Sequence, residues 1–212
     1  MFFLVILGSS MMVWAQDNVF KAIEEGKLDV VKSLVEKDPK LLVGKDRKGY
    51  DIATPLHAAA RYGQKAIIEY LLTKKIDINA KDQDGWAPAH LAAYGGFRNT
   101  LDFLLQNGAD IEATCPAGTL LHVGGMAGHA EIVEYLLDKG LQVNLKFGDQ
   151  GWTPLHSAAY GGFLTPVKLL VAKNADVRAR ANSGHLPFDI ANQNGHAEVA
   201  AFLSQMGGAG DD

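Results

Sequence analysis

The apolar residues of this 212-residue chain fall into short clusters of two alternating kinds. One kind is built from small side chains and ends at glycine: Ala58-Ala59-Ala60 before Gly63, Leu91-Ala92-Ala93 before Gly95, Ser157-Ala158-Ala159 before Gly161. The other kind is bulkier, with Ile67, Ile68, Leu71 and Leu72, or Ile132, Val133, Leu136 and Leu137, at the spacing of one helix face. A polar turn follows each bulky run, as in Asn107-Gly108-Ala109-Asp110 and Asn174-Ala175-Asp176. The pattern predicts pairs of short helices, a tight one lined with alanine and a larger one carrying the apolar stripe. No pair can bury its stripe alone, so stability has to come from stacking neighbours.

A second pattern sets the register. Thr54-Pro55-Leu56-His57 recurs as Ala87-Pro88-Ala89-His90, Thr119-Leu120-Leu121-His122 and Thr153-Pro154-Leu155-His156, and in altered form as Leu186-Pro187-Phe188-Asp189, at intervals of 32 to 34 residues. Thr54 or Thr153 can cap the tight helix, and the proline after it sits where a missing N–H does no harm. Five blocks in register resemble the ankyrin repeat, and the likeness runs from about Val19 to Met206. It implies an all-α repeat solenoid of about six units including caps, each a helix-turn-helix with a β-hairpin finger. It also gives the block histidine a hydrogen-bonding role that ties finger to helix and unit to unit.

The expected layout is an N-terminal cap over 16–45, repeats over 46–80, 81–113, 114–146 and 147–180, and a C-terminal cap over 181–206. The glycine-rich residues 207–212 read as a flexible tail. Residues 1–15 are set apart by lacking any charged side chain, and polarity begins at Gln16. A short apolar stretch followed by small residues fits a secretory signal peptide cleaved after Ala15, although no basic residue precedes it; it is too short for a stable membrane anchor. The resemblance is therefore to a secreted or periplasmic bacterial member of the family.

Composition narrows the chemistry. A net charge of −4 argues against a nucleic-acid surface, and one cysteine, Cys115, precludes an internal disulfide or a cysteine zinc cluster. His57, His90, His122 and His156 come one per unit, whereas a zinc site needs ligands that converge. No phosphate loop, nucleophile elbow or His-Glu-x-x-His motif is present, so the reading is non-enzymatic, with no cofactor or metal.

In ankyrin proteins the finger tips and the exposed face of the tight helix bind partners. The matching positions are Arg47, Lys48, Tyr50, Arg61 and Tyr62 in the first full unit, and Gln83, Asp84, Trp86 and Tyr94 in the second. Met126 follows in the third, Asp149, Gln150, Trp152 and Tyr160 in the fourth, and His185 at the last finger, where it is expected to be exposed. Aromatics repeat in two columns, Tyr50, Trp86 and Trp152 on fingers and Tyr62, Tyr94 and Tyr160 on helices. Such side chains bury much area for little lost entropy. The extra residues Tyr50-Asp51-Ile52-Ala53 predict a long first finger, and the shortening between Gly118 and Thr119 a stunted third one that leaves a notch. The expected function is a monomeric, non-catalytic scaffold that binds another protein. The alternatives are an inhibitor or immunity-type protein that blocks a secreted enzyme, or a cytosolic regulator if the N-terminal segment is retained.

Overall fold

The computed structural model describes residues 18–43 and 54–209. The expected signal peptide, Arg47, Lys48, Tyr50 and the long first finger lie outside the described residues. Twelve α-helices follow one another among those described. They are α1 (18–24), α2 (Leu28–Lys37), α3 (Pro55–Arg61), α4 (Lys65–Leu72), α5 (Pro88–Tyr94) and α6 (Arg98–Gln106). Then come α7 (Leu120–Met126), α8 (Ala130–Asp138), α9 (Pro154–Gly161), α10 (Leu164–Ala172), α11 (Pro187–Gln193) and α12 (Ala197–Gln205). A 3-10 turn (Pro39–Val43) follows α2, and a two-stranded hairpin, β1 (Thr114–Cys115) with β2 (Gly118–Thr119), precedes α7. None of the described helices is long and apolar enough to cross a membrane.

The chain forms two compact units, Met1–Ala92 with Asn99–Asp110, and Ala93–Arg98 with Ile111–Asp212. In the first, α3 packs on α4, and α4 on α2. In the second, α7, α9 and α11 lie side by side, as do α8, α10 and α12. The buried side chains are those the periodicity picked out, Ile67, Ile68 and Leu71 in α4 and Ile132, Val133 and Leu136 in α8.

Each block histidine is buried to within 1% of its surface and is satisfied at both ring nitrogens where both are seen. His57 Nε2 lies 3.0 Å from the Ala80 carbonyl and 3.1 Å from that of Trp86; His122 Nε2 reaches Trp152 O at 3.0 Å, and His156 Nε2 reaches His185 O at 3.2 Å. A carbonyl can only accept, so the proton sits on Nε2 and Nδ1 is left as the acceptor. The hydroxyls of Thr54, Thr119 and Thr153 donate to that Nδ1 at 2.7, 2.8 and 2.9 Å. The threonines stand at the helix N-caps as expected, but their hydroxyls hold the ring. Burial holds the pKa of His57, His122 and His156 below the ordinary imidazole value, because the charged ring would lose its water.

The last block obeys the same logic. Asp189 Oδ2 accepts the Leu186 N–H at 2.7 Å, the bond that the Nδ1 of His90 and His156 makes with Ala87 and Thr153. A carboxylate, which only accepts, keeps the Nδ1 half of the histidine's bonding.

The third finger is short, with two residues inside the Cys115–Gly118 pair, and it forms the one two-stranded sheet among the described residues. One expectation needs correction: Gly207 and Gly208 do not belong to a flexible tail, because they close α12. Gly207 N–H bonds Ser204 O at 3.0 Å and Gly208 N–H bonds Leu203 O at 2.8 Å, which is a Schellman cap. Low hydrophobicity hid this, since a C-cap needs left-handed backbone rather than apolar side chains.

The larger helices end in the same way, with a left-handed residue at Gly108 (φ 97°), Gly140 (φ 92°) and Asn174 (φ 66°). After α4 that place is held by an exposed lysine, Lys75, at φ 58°. A Cβ in this region is strained by about 1–2 kcal/mol, partly offset by the greater chain entropy glycine loses on folding. Lys75→Gly should therefore stabilise the protein by about 0.5–1 kcal/mol. Urea denaturation should show a higher midpoint at unchanged slope; an unchanged or lower midpoint would refute the strain.

Candidate functional site

The exposed ends of the tight helices carry the second unit's most open aromatic surface. Tyr94 ends α5, Met126 ends α7, and Tyr160 lies in the last turn of α9, each pointing away from the alanine and glycine face that packs helix on helix. Together they line a groove of about 570 Å³ whose other walls are Ala127, Gly161, Phe163, Asn194 and His196. Tyr94 is 41% exposed, Tyr160 47% and Phe163 48%. Three of the expected binding residues, Tyr94, Met126 and Tyr160, thus share one cavity.

Close backbone approach makes the groove possible. A Cβ at Gly161 would overlap the carbonyl of Met126, so only glycine lets α9 come this near α7. The walls are then tied by side chains that follow the helix-ending glycines. His196 Nε2–H donates to Tyr160 O at 2.9 Å and His129 Nε2–H to Tyr94 O at 2.9 Å. Their rings lie against Gly162 and Gly96, and Phe163 lies against Gly128 in the same manner. The repeat pattern alone gives His129, His196 and Phe163 no place in a site. The usable signal is an aromatic residue directly after Gly161-Gly162, at a position where the other units have Gln64, Phe97, His129 and His196.

The tryptophans are props more than open anchors. Trp152 is half-buried, stacked on His156 (6.3 Å between centroids, 20° between planes) and tilted against Tyr160 at 5.5 Å. It therefore backs a groove wall. Trp86, in the first unit, stands edge-on to His90 at 6.2 Å and is also half-buried.

The remaining candidates are distributed as follows. In the first unit Arg61 and Tyr62 are half-buried at the end of α3, and Gln83 and Asp84 are exposed at a finger closed by Asp82 N–H on Trp86 O at 2.8 Å. In the second unit Asp149 and Gln150 are exposed at the finger joined by the Phe147–Trp152 bridge, and their carbonyls accept bonds from Asn182. His185 is half-buried rather than exposed, with Nδ1 at 2.8 Å from Ser183 Oγ and its carbonyl taken by His156. None of these last three lines the groove.

The family model for ankyrin repeats matches this chain three times, over 19–115, 81–147 and 121–210. This chain is an ankyrin-repeat protein. Its ankyrin repeats make it a protein–protein interaction domain, of a family generally without catalysis of its own. It is similar to mouse protein phosphatase 1 regulatory subunit 12A, 32% identical over 46% of this chain and 9% of that protein. It is also similar to the fruit-fly tyrosine-protein kinase Shark, 30% identical over 74% of this chain and 13% of that one. The mouse ARF GTPase-activating protein GIT2 is 36% identical over 41% of this chain and 12% of its own length. The chain thus spans only about a tenth of the length of these relatives.

Proposed function

We propose that this ankyrin-repeat chain is a monomeric, non-catalytic scaffold that grips a partner protein in the aromatic groove of its second unit. The observation that carries this reading is the convergence of Tyr94, Met126, Tyr160 and Phe163 on one cavity, with all three rings exposed to solvent. Exposed aromatics held by rigid, fully bonded backbone lose little freedom on binding, which is the property of interface anchors. Regulatory and scaffold-type relatives are consistent with it. Export is part of the proposal. It rests on the uncharged Met1–Ala15 segment alone and is independent of the groove.

Affinity capture from the native source, followed by calorimetry with the partner so found, tests the groove. Tyr160→Ala or Phe163→Ala should weaken binding by about 2 kcal/mol, some thirtyfold, and Glu134→Ala on α8 should leave it unchanged. Melting curves of the three variants should show that each stays folded. Groove variants that bind as tightly as the parent would place the interface elsewhere. For export, intact mass of the protein from its host should correspond to a chain beginning at Gln16, and full-length protein in the cytosol would contradict it.

A further inference from the structure

The chemistry of the groove says what it receives. Its lining holds no Lys, Arg, Asp or Glu. Its nitrogen donors are partly engaged: His196 Nε2–H is given to Tyr160 O, and one Asn194 Nδ2–H to Ile190 O at 2.8 Å. The amide oxygen of Asn194 and the ring faces of Tyr160 and Phe163 remain as electron-rich surface. A carboxylate or phosphate entering here would meet neutral donors but no lysine or arginine. A guanidinium or ammonium would meet π faces and lone pairs.

The same chain shows the pairing elsewhere. On the larger helices, basic side chains lie over rings contributed by the following unit. Lys32 covers Tyr70 at 5.8 Å, Lys65 covers Phe103 at 4.9 Å, Arg98 covers Tyr135 at 4.8 Å and Lys168 covers Phe202 at 5.7 Å. At the place of Lys65 and Arg98, α8 has Ala130, and at the place of Phe103 and Tyr135, α10 has Leu169. Cation and ring are lost together, as expected if each is there for the other. Phe163, nearly half exposed, lies instead in a groove whose lining has no cation.

We propose that the groove formed by Met126, Tyr160, Phe163 and Asn194 is a pocket for a basic side chain, an arginine or lysine, presented by the partner protein. The cation lies over the Tyr160 and Phe163 rings, the Asn194 oxygen accepts one N–H, and the aliphatic stem packs on Met126. The inference rests on the groove being the partner site and names the chemistry recognised there.

The test titrates the full chain with two short peptides, acetyl-Gly-Arg-Gly-amide and acetyl-Gly-Cit-Gly-amide, in which uncharged citrulline replaces arginine at nearly equal shape. NMR resonances of the Tyr160 and Phe163 rings and the Met126 methyl report binding. The arginine peptide should shift them saturably and bind about five- to thirtyfold more tightly than the citrulline peptide. Phe163→Leu, which keeps the apolar bulk but removes the ring, should abolish that preference. Equal binding of the two peptides, or arginine-induced shifts confined to residues outside the groove, would overturn the inference. An acetyl-Gly-Phe-Gly-amide peptide separates this from the broader reading: if it occupies the groove and the arginine peptide does not, the cation pocket is wrong while the binding groove stands.

Discussion

A buried imidazole that gives its one proton to the carbonyl of the next finger is the interaction on which the rest of this structure depends. The tight helix is too short and too rich in alanine to hold its place by burial alone. His57, His122 and His156 each fix it from two sides, accepting from a threonine at Nδ1 and donating across units from Nε2. Removing either partner would strand a polar group where water cannot reach it, a loss of about 1–3 kcal/mol. Asp189, in the histidine's place in the last block, keeps the acceptor half of this arrangement by taking the Leu186 N–H.

With that register set, the groove follows from small consequences. Fixed helix spacing allows Gly161 to sit against Met126, and this opens the groove beside them. His196 and Trp152 then brace Tyr160 from backbone and ring. The rings therefore divide by surroundings. Those on the larger helices are covered by the chain's own cations, whereas Tyr94 and Tyr160, at the ends of α5 and α9, line a cavity.

Much of this was legible in the sequence, because the repeat imposes it. The Thr-Pro-Leu-His blocks fixed the units, and the stripe of Ile67, Ile68 and Leu71 identified the core. The tyrosine column pointed to Tyr94 and Tyr160, which the fold brings to one groove. What was not legible depends on pairs distant in the chain. Nothing adjacent to His196 reveals that its ring reaches the carbonyl of Tyr160, or that Phe163 fills the space over Gly128. The tryptophans misled for the same reason: Trp152 turns partly inward onto His156, which only the folded unit brings near. Gly207 and Gly208 were read by composition, although their role is backbone geometry.

The histidine tie can be observed directly. Nitrogen-15 NMR of the imidazoles of His57, His122 and His156, followed from pH 8 downwards, reads both tautomer and charge. The account predicts the Nε2–H tautomer at all three, with each folded-state pKa below the ordinary value of about 6.5. A depressed folded-state pKa means that the unfolded chain takes up protons first. Stability from these rings should be full above that value and drain away below it, by at most about 1.4 kcal/mol per pH unit for each ring. Rings that carry Nδ1–H, or that titrate near 6.5 in the folded protein, would contradict the account.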